Sequence, residues 1–180
     1  TNRPIFIIDQ SGSMLSAADV DMAKKQAEEW MRQNPGNNQI PPIPPPAGYK
    51  SKWQVLQEEL KKAIKQLDSK KGTFNIIWYS TKVEVYNEKG MVQASDSEKA
   101  KVEREIDSRK ADGLTNIYEA LQKGFEIAAG PNSKAGVEWT GKGDAQIHSD
   151  TFFFMTDGSP TTGPETDVDK ILAKVDEWNK

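Results

Sequence analysis

The sequence predicts an α/β protein with a doubly wound, Rossmann-like and mostly parallel sheet that carries one antiparallel edge strand. Three observations predict it. The apolar runs 5–8 and 151–156 each end in an acid, Asp9 and Asp157. Unbroken apolar runs of this length read as strands buried on both faces, because a half-exposed strand would alternate apolar and polar residues. Segments with helical apolar spacing separate these runs. The β-rich runs 74–79 and 82–86 are joined only by Ser80-Thr81, a link that permits an antiparallel hairpin and forbids a parallel crossover.

The chain's 180 residues suffice for one domain with a core. A net charge of −3 with mixed signs throughout leaves no basic patch for nucleic acid and no polybasic anchor for a membrane. No apolar run approaches the roughly 20 residues of a bilayer span. The absence of cysteine excludes disulfides and thiolate metal sites, and fits an oxidising or a reducing compartment. A natural chain seldom starts on its central strand, so Thr1 is expected to mark a processed or cloned boundary.

The opening strand runs into Asp9-Gln10-Ser11-Gly12-Ser13. Asp9, Ser11 and Ser13 offer three oxygens that a tight turn could aim at one point, and Gly12 would permit that turn through positive φ. An all-oxygen set at a strand end suits a hard divalent cation, or else forms an ordinary strand-to-loop junction.

Residues 16–32 read as a helix, with Ser16 and Asp19 as a capping box and Met22, Ala23, Ala27, Trp30 and Met31 at helical spacing. Residues 34–38 stop it. Residues 40–46 hold five prolines and read as extended polyproline II, a stiff surface connector in preference to a docking ligand of the Pro41-x-x-Pro44 type. A helix over 51–68 opens on Ser51 with Gln54 and carries the stripe Trp53, Leu56, Leu60, Ile64 and Leu67. The hairpin follows, its second run alternating as an edge strand does.

Ser95 opens a charged surface helix that carries Ala100, Val102 and Ile106, and residues 112–116 break the pattern. The next helix places Tyr118, Leu121, Phe125 and Ala128 on one stripe, and Gly130-Pro131 ends it. Residues 131–150 read as a polar loop. Its Gly141-Lys142-Gly143 lacks the spacing of a phosphate loop, and His148, the one histidine, reads as a solvated loop residue. After the strand 151–156, Gly158-Ser159-Pro160 turns the chain into a last helix with Val168, Ile171, Leu172, Val175 and Trp178.

Two strands thus end in Asp9 and Asp157, and a loop ahead of a helix carries Gly113-x-Thr115. If the strands are parallel neighbours, their carboxyl ends meet at a switch point, where open α/β sheets bind ligands. Three loops would then bring two carboxylates and three hydroxyls together.

In these pieces the sequence resembles a von Willebrand factor type A domain, the fold also found as the inserted domain of integrins. The family's metal-ion-dependent adhesion site, D-x-S-x-S then T then D, is matched by Asp9, Ser11, Ser13, Thr115 and Asp157 in order. The resemblance implies a strand order of 3-2-1-4. It implies that Ser11 and Ser13 bind a cation directly, that Thr115 does so when a ligand is present, and that Asp9 and Asp157 act through water or by exchange. The cation would be Mg2+, with Mn2+ or Ca2+ as alternatives, and a partner's Asp or Glu carboxylate would complete its shell. Gln10, Gly113, Asn116, Gly158 and Ser159 would flank the partner. The sequence looks most like bacterial secreted or cell-envelope members, which implies that location.

Two departures from the family pattern stand out. Residues 15–50 form an insertion with a helix and a Pro-rich segment, expected beside the metal face. The family's final strands and closing helix are missing after residue 180, which would leave the strand 151–156 with an unpaired apolar edge. The single domain 1–180 is therefore expected to be a C-terminally incomplete fragment, or one whose sheet another segment or chain completes. The leading expectation is a non-enzymatic, metal-dependent protein-binding module for adhesion or assembly. The alternatives are an assembly subunit whose metal only orders loops, and a metal-assisted hydrolase. The motif loops hold no histidine, cysteine or lysine to serve as a base.

Overall fold

A computed structural model describes residues 3–129, 149 and 151–179. The stretch 130–148, with Gly141-Lys142-Gly143 and His148, lies outside the described residues.

Five strands form one sheet: β1 Pro4–Asp9, β2 Thr73–Tyr79, β3 Val83–Val85, β4 Val92–Gln93 and β5 Thr151–Met155. Their order is β3-β2-β1-β5, with β4 paired to β2 beside the path. β1 runs parallel to both neighbours, with Asp9 opposite Tyr79 and Ile8 opposite Met155. β3 is antiparallel to β2, as so short a link (residues 80–82) requires. The expected order therefore holds, with its fourth strand numbered β5. The additional strand, β4, pairs only with Thr73 and Phe74, and two residues are too few to show a period.

All six residues of β1 and all seven of β2 are buried. Successive strand side chains point to opposite faces, so each strand feeds two cores. Phe6, Ile8, Phe74, Ile76 and Trp78 pack against α2 (Lys52–Gln66) and α3 (Asp96–Ser108). Ile5, Ile7, Ile77 and Tyr79 pack against α4 (Ile117–Ala129) and α5 (Val168–Trp178). Helices thus cover both faces. The α2 stripe is as read: Trp53, Leu56, Leu60 and Ile64 are buried, each aliphatic side chain contributing about 1.5–3 kcal/mol. Its Ser51–Gln54 capping box is formed in both directions. The charged α3 still seats Val102 and Ile106 fully in the core.

Three expectations are corrected. The helix expected over 16–32 is α1, Val20–Gln33, capped by Asp19 and not by Ser16. Ser16 is taken up elsewhere: its N–H donates to Ser13 and its carbonyl accepts from Lys52. α1 buries no residue fully and lies outside the helical layers.

On α4 the buried face is Ile117, Ala120, Gly124 and Ile127, one position before the expected stripe. Both stripes are apolar, and Gly124 decides between them. A Cβ there would come within 2.8 Å of Ile7 Cδ1, so only the glycine face can approach the sheet this closely. The third correction concerns the apolar pattern of β5, which reads as a strand buried on both faces; the structure instead agrees with the unpaired apolar edge expected from the missing family strands. Among the described residues β5 has one neighbour, β1, and Phe153 and Phe154 are 42% and 39% exposed.

The segment 15–50, expected as an insertion, is pinned at both ends. Ala17 bridges Ser51, and Ala18 N–H donates to Lys50 O at 2.9 Å. Residues 37–46 belong to neither helix nor strand, and Gln26 Nε2 donates to Pro44 O at 2.9 Å, tying this segment to α1.

Candidate cation site at the carboxyl edge of the sheet

Asp9 closes β1 with its side chain fully buried. A buried carboxylate is costly unless donors satisfy it, and both of its oxygens have one. Oδ1 accepts from Ser11 N–H at 2.8 Å, and Oδ2 accepts from the Thr156 hydroxyl at 2.8 Å. The chain then enters a 3-10 turn, Gly12–Leu15, closed by Met14 N–H on Ser11 O and Ser16 N–H on Ser13 O. Gly12 is not at positive φ, contrary to the expectation, because the turn keeps it in the right-handed region.

The 3-10 turn brings the two serines together. Their hydroxyl oxygens are 2.9 Å apart, and Ser13 Oγ donates to Asp157 Oδ1 at 2.7 Å. With the Ser13 proton committed to Asp157, Ser11 is the donor between the two. Asp157 follows β5, and its second oxygen accepts from Lys52 Nζ at 2.7 Å.

The third loop is laced to the first by backbone bonds. Asp112 N–H donates to Gln10 O at 2.8 Å, and Gly12 N–H donates to Gly113 O at 2.9 Å. Gly113 has φ +82°, and a Cβ there would meet Thr81 Oγ1 at 2.6 Å, so glycine is required twice over. That same Thr81 oxygen accepts from Leu114 N–H at 2.9 Å. Thr115, 5% exposed, donates its N–H to Thr161 Oγ1 and accepts from Thr161 N–H, both at 2.9 Å. The loop after β5 therefore holds the Thr115 backbone from both sides.

Among the five expected ligand residues, Ser11, Ser13 and Asp157 form one hydrogen-bonded chain. Asp9 joins it through Ser11 N–H and Thr156, and Thr115 through the backbone of its loop. Among the flanking residues, Gly113, Gly158 and Ser159 are exposed and Gln10 is half-buried. Asn116 is 2% exposed and lies beneath the loop, where its Oδ1 accepts from Glu119 N–H at the start of α4.

Thr156, Thr161, Lys52 and Tyr79 belong to this neighbourhood without having been anticipated. Lys52 carried one usable signal, since a helix that follows β1 must begin at the sheet's carboxyl edge. Tyr79 ends β2, stacks on Phe154 and donates its hydroxyl to Met155 O at 3.3 Å. Burial first, and the charge of Asp9 second, push its phenol well above the ordinary value, so it stays neutral.

The donor set fits a small hard cation. Adjacent ligands of an octahedron with bonds near 2.0–2.1 Å lie about 2.9 Å apart. The Ser11–Ser13 oxygen separation is 2.9 Å. In the same loop, Gln10 Oε1 is an enclosed acceptor with no hydrogen-bond partner among the described residues. Among the described residues no three His, Cys, Asp or Glu side chains cluster as a metal site; the five expected residues offer two carboxylates and three hydroxyls.

No family model and no curated protein matches the chain. Solved structures do. The pilus adhesin SpaC from Lactobacillus rhamnosus GG is 15% identical over 88% of this chain and 16% of its own, with a TM-score of 0.54. Proximal thread matrix protein 1 from the mussel byssus is 15% identical over 98% of this chain and 35% of its own, with a TM-score of 0.53. A second structure of that matrix protein, described as having a zinc-occupied MIDAS motif, has a TM-score of 0.51. A von Willebrand factor type A protein from Catenulispora acidiphila is 19% identical over 71% of this chain and 22% of its own, with a TM-score of 0.46. The chain spans between about a sixth and about a third of these structures' own lengths. Sheet order and the likenesses to the adhesin and the matrix protein together show a von Willebrand factor type A-like fold.

Proposed function

We propose that the chain is a protein-binding module, for adhesion or assembly, that binds its partner through a divalent cation. Asp9, Ser11, Ser13, Thr115 and Asp157 would hold the cation, Mg2+ foremost. The single observation that carries this reading is the run of oxygens from Ser11 through Ser13 to Asp157, which joins the ends of β1 and β5. Bound there, the cation would offer an open coordination position to a partner's carboxylate, and direct hydroxyl ligands, being neutral, would leave it more electrophilic than direct carboxylate ligands would. Gln10, Gly113, Gly158 and Ser159 form the rim. The insertion of residues 15–50 supplies one wall, since Pro42 Cγ lies 3.8 Å from where a Gly12 side chain would begin.

The likeness to a pilus adhesin and a byssus matrix protein supports adhesion or assembly, and a secreted or cell-envelope setting, over catalysis. No described helix is long and apolar enough to cross a membrane. A second reading, an assembly subunit completed by a strand from another segment or chain, is favoured by the exposed Phe153 and Phe154 on β5. The deciding test is retention of the protein on an immobilised glutamate-rich peptide. Retention with Mg2+ that is lost on chelation and in Asp157→Ala supports the cation-dependent module; retention that ignores chelation overturns it.

A further inference from the structure

We propose that Lys52 is a tethered counter-cation of Asp157, which weakens divalent-cation binding and strengthens the loaded site's hold on an acidic partner. The inference rests on the cation-site reading above. Lys52 Nζ lies 2.7 Å from Asp157 Oδ2, while the other oxygen of Asp157 is engaged by Ser13. The side chain of Asp157 is 11% exposed and that of Lys52 36%, so the contact is partly shielded from water on the carboxylate side.

The backbone that carries this ammonium is fixed. Lys52 N–H donates to Ser16 O at 2.9 Å, Ser51 bridges Ala17, and the Ser51–Gln54 capping box sets the first turn of α2. The other lysines of α2 serve the outer surface: Lys61 pairs with Asp107, Lys62 with Glu59 and Lys65 with Glu103. Lys52 reaches instead across 105 residues of sequence to the candidate site.

Formal charge gives the consequence. Asp9 and Asp157 together carry two negative charges, which Lys52 reduces to one. A divalent cation therefore meets less attraction than two carboxylates alone would offer. Once it is bound, the cluster is left with one net positive charge, where without Lys52 it would be neutral. An incoming carboxylate is drawn to the first and not to the second. Lys52 thus moves the two affinities in opposite directions, which loss of a merely structural residue would not do.

Two titrations on the intact chain test this, at an ionic strength that screens surface charge. Mn2+ binding is read by water-proton relaxation, and binding of a fluorescent glutamate-rich peptide to Mn2+-saturated protein is read by anisotropy. Lys52→Met should bind Mn2+ on the order of tenfold more tightly and the peptide several-fold more weakly. Lys52→Arg should return both towards wild type, and Lys52→Gln should repeat the Met result. Equal losses in both titrations, or an unchanged Mn2+ affinity in Lys52→Met, overturn the proposal. If wild type binds Mn2+, Asp157→Asn abolishes it and Lys52→Met matches wild type, the Lys52 inference alone falls. If neither wild type nor Lys52→Met binds Mn2+, the cation-site reading falls and takes this inference with it.

Discussion

The hydroxyl of Thr156 donates to Asp9 Oδ2 at 2.8 Å, so the strand ends of β5 and β1 are joined by a side chain as well as by the sheet. Asp9 is fully buried, and this bond is one of two that make its charge tolerable. Thr156→Val keeps the shape and removes the donor. It should cost about 1.5–3 kcal/mol in urea unfolding, the range for hydrogen bonds to charged groups. Thr156→Ser should retain most of the stability, and equal losses in the two variants would assign the effect to packing.

Alkaline pH should destabilise the fold through two tyrosines. Burial raises the phenols of Tyr79 and Tyr86, with the charge of Asp9 adding at the first and the hydrogen bond to Glu98 at the second. In the unfolded chain both ionise near pH 10. Above that the unfolded state has lost protons that the native state keeps, so stability falls as pH rises past about 10 towards the folded values. Urea midpoints at about pH 9 and about pH 10.5 should show the decline, and Tyr79→Phe should flatten it. An identical slope in Tyr79→Phe would rule Tyr79 out as a cause.

What could be read in the sequence was what local pattern encodes. The run 5–8 ending in Asp9 and the Ser51–Gln54 box each carry their whole signal within a few residues, and both stand as read. Long-range contacts override such patterns. Ser16 looked like a cap, but its backbone groups are claimed by Ser13 and Lys52. The two apolar stripes of α4 were indistinguishable until Gly124 met Ile7. By pattern alone Phe153 and Phe154 read as buried, because apolarity reports a preference and not a neighbour; only the comparison with the family's missing strands pointed to the open edge. The five residues expected at the candidate site could be named from the sequence because each stands at a strand end or ahead of a helix. Thr161 could not be, and Lys52 only through its place at the start of α2, since their contacts arise only when segments far apart in sequence meet.

Gly163 holds Asn116 in place from outside. It has φ +106°, and a Cβ there would fall 2.1 Å from Asn116 Oδ1, the atom that accepts from Glu119 N–H at the start of α4. Gly163→Ala must therefore strain its backbone and displace a buried amide. A loss of about 2–4 kcal/mol in urea unfolding is expected. The control is Gly36→Ala, also at positive φ but in open space, which should bear the backbone strain alone and lose less.

The edge of β5 predicts association. Phe154 is 39% exposed on a strand with a single described neighbour, the arrangement that templates further pairing. Phe154→Lys should lower concentration-dependent light scattering while leaving far-ultraviolet circular dichroism unchanged. Its stacking on Tyr79 is lost as well, so a stability cost of about 1 kcal/mol is expected beside the gain in solubility. Scattering equal to wild type would show that this edge does not drive association.

Cation removal should be visible as lost stability. A ligand that binds only the native state at a hundred times its dissociation constant adds about 2.7 kcal/mol. Mg2+ should therefore raise the melting temperature of the wild-type chain, and chelator should reverse the rise. Asp157→Ala removes one carboxylate and frees both Ser13 and Lys52 from it, so the Mg2+-dependent rise should vanish. Ser13→Ala removes a hydroxyl from the oxygen chain and should reduce the rise while preserving both carboxylates. The comparison is made within each variant, with and without Mg2+, so a variant's own loss of stability does not enter. A rise that persists undiminished in Asp157→Ala would place any bound cation elsewhere on the molecule.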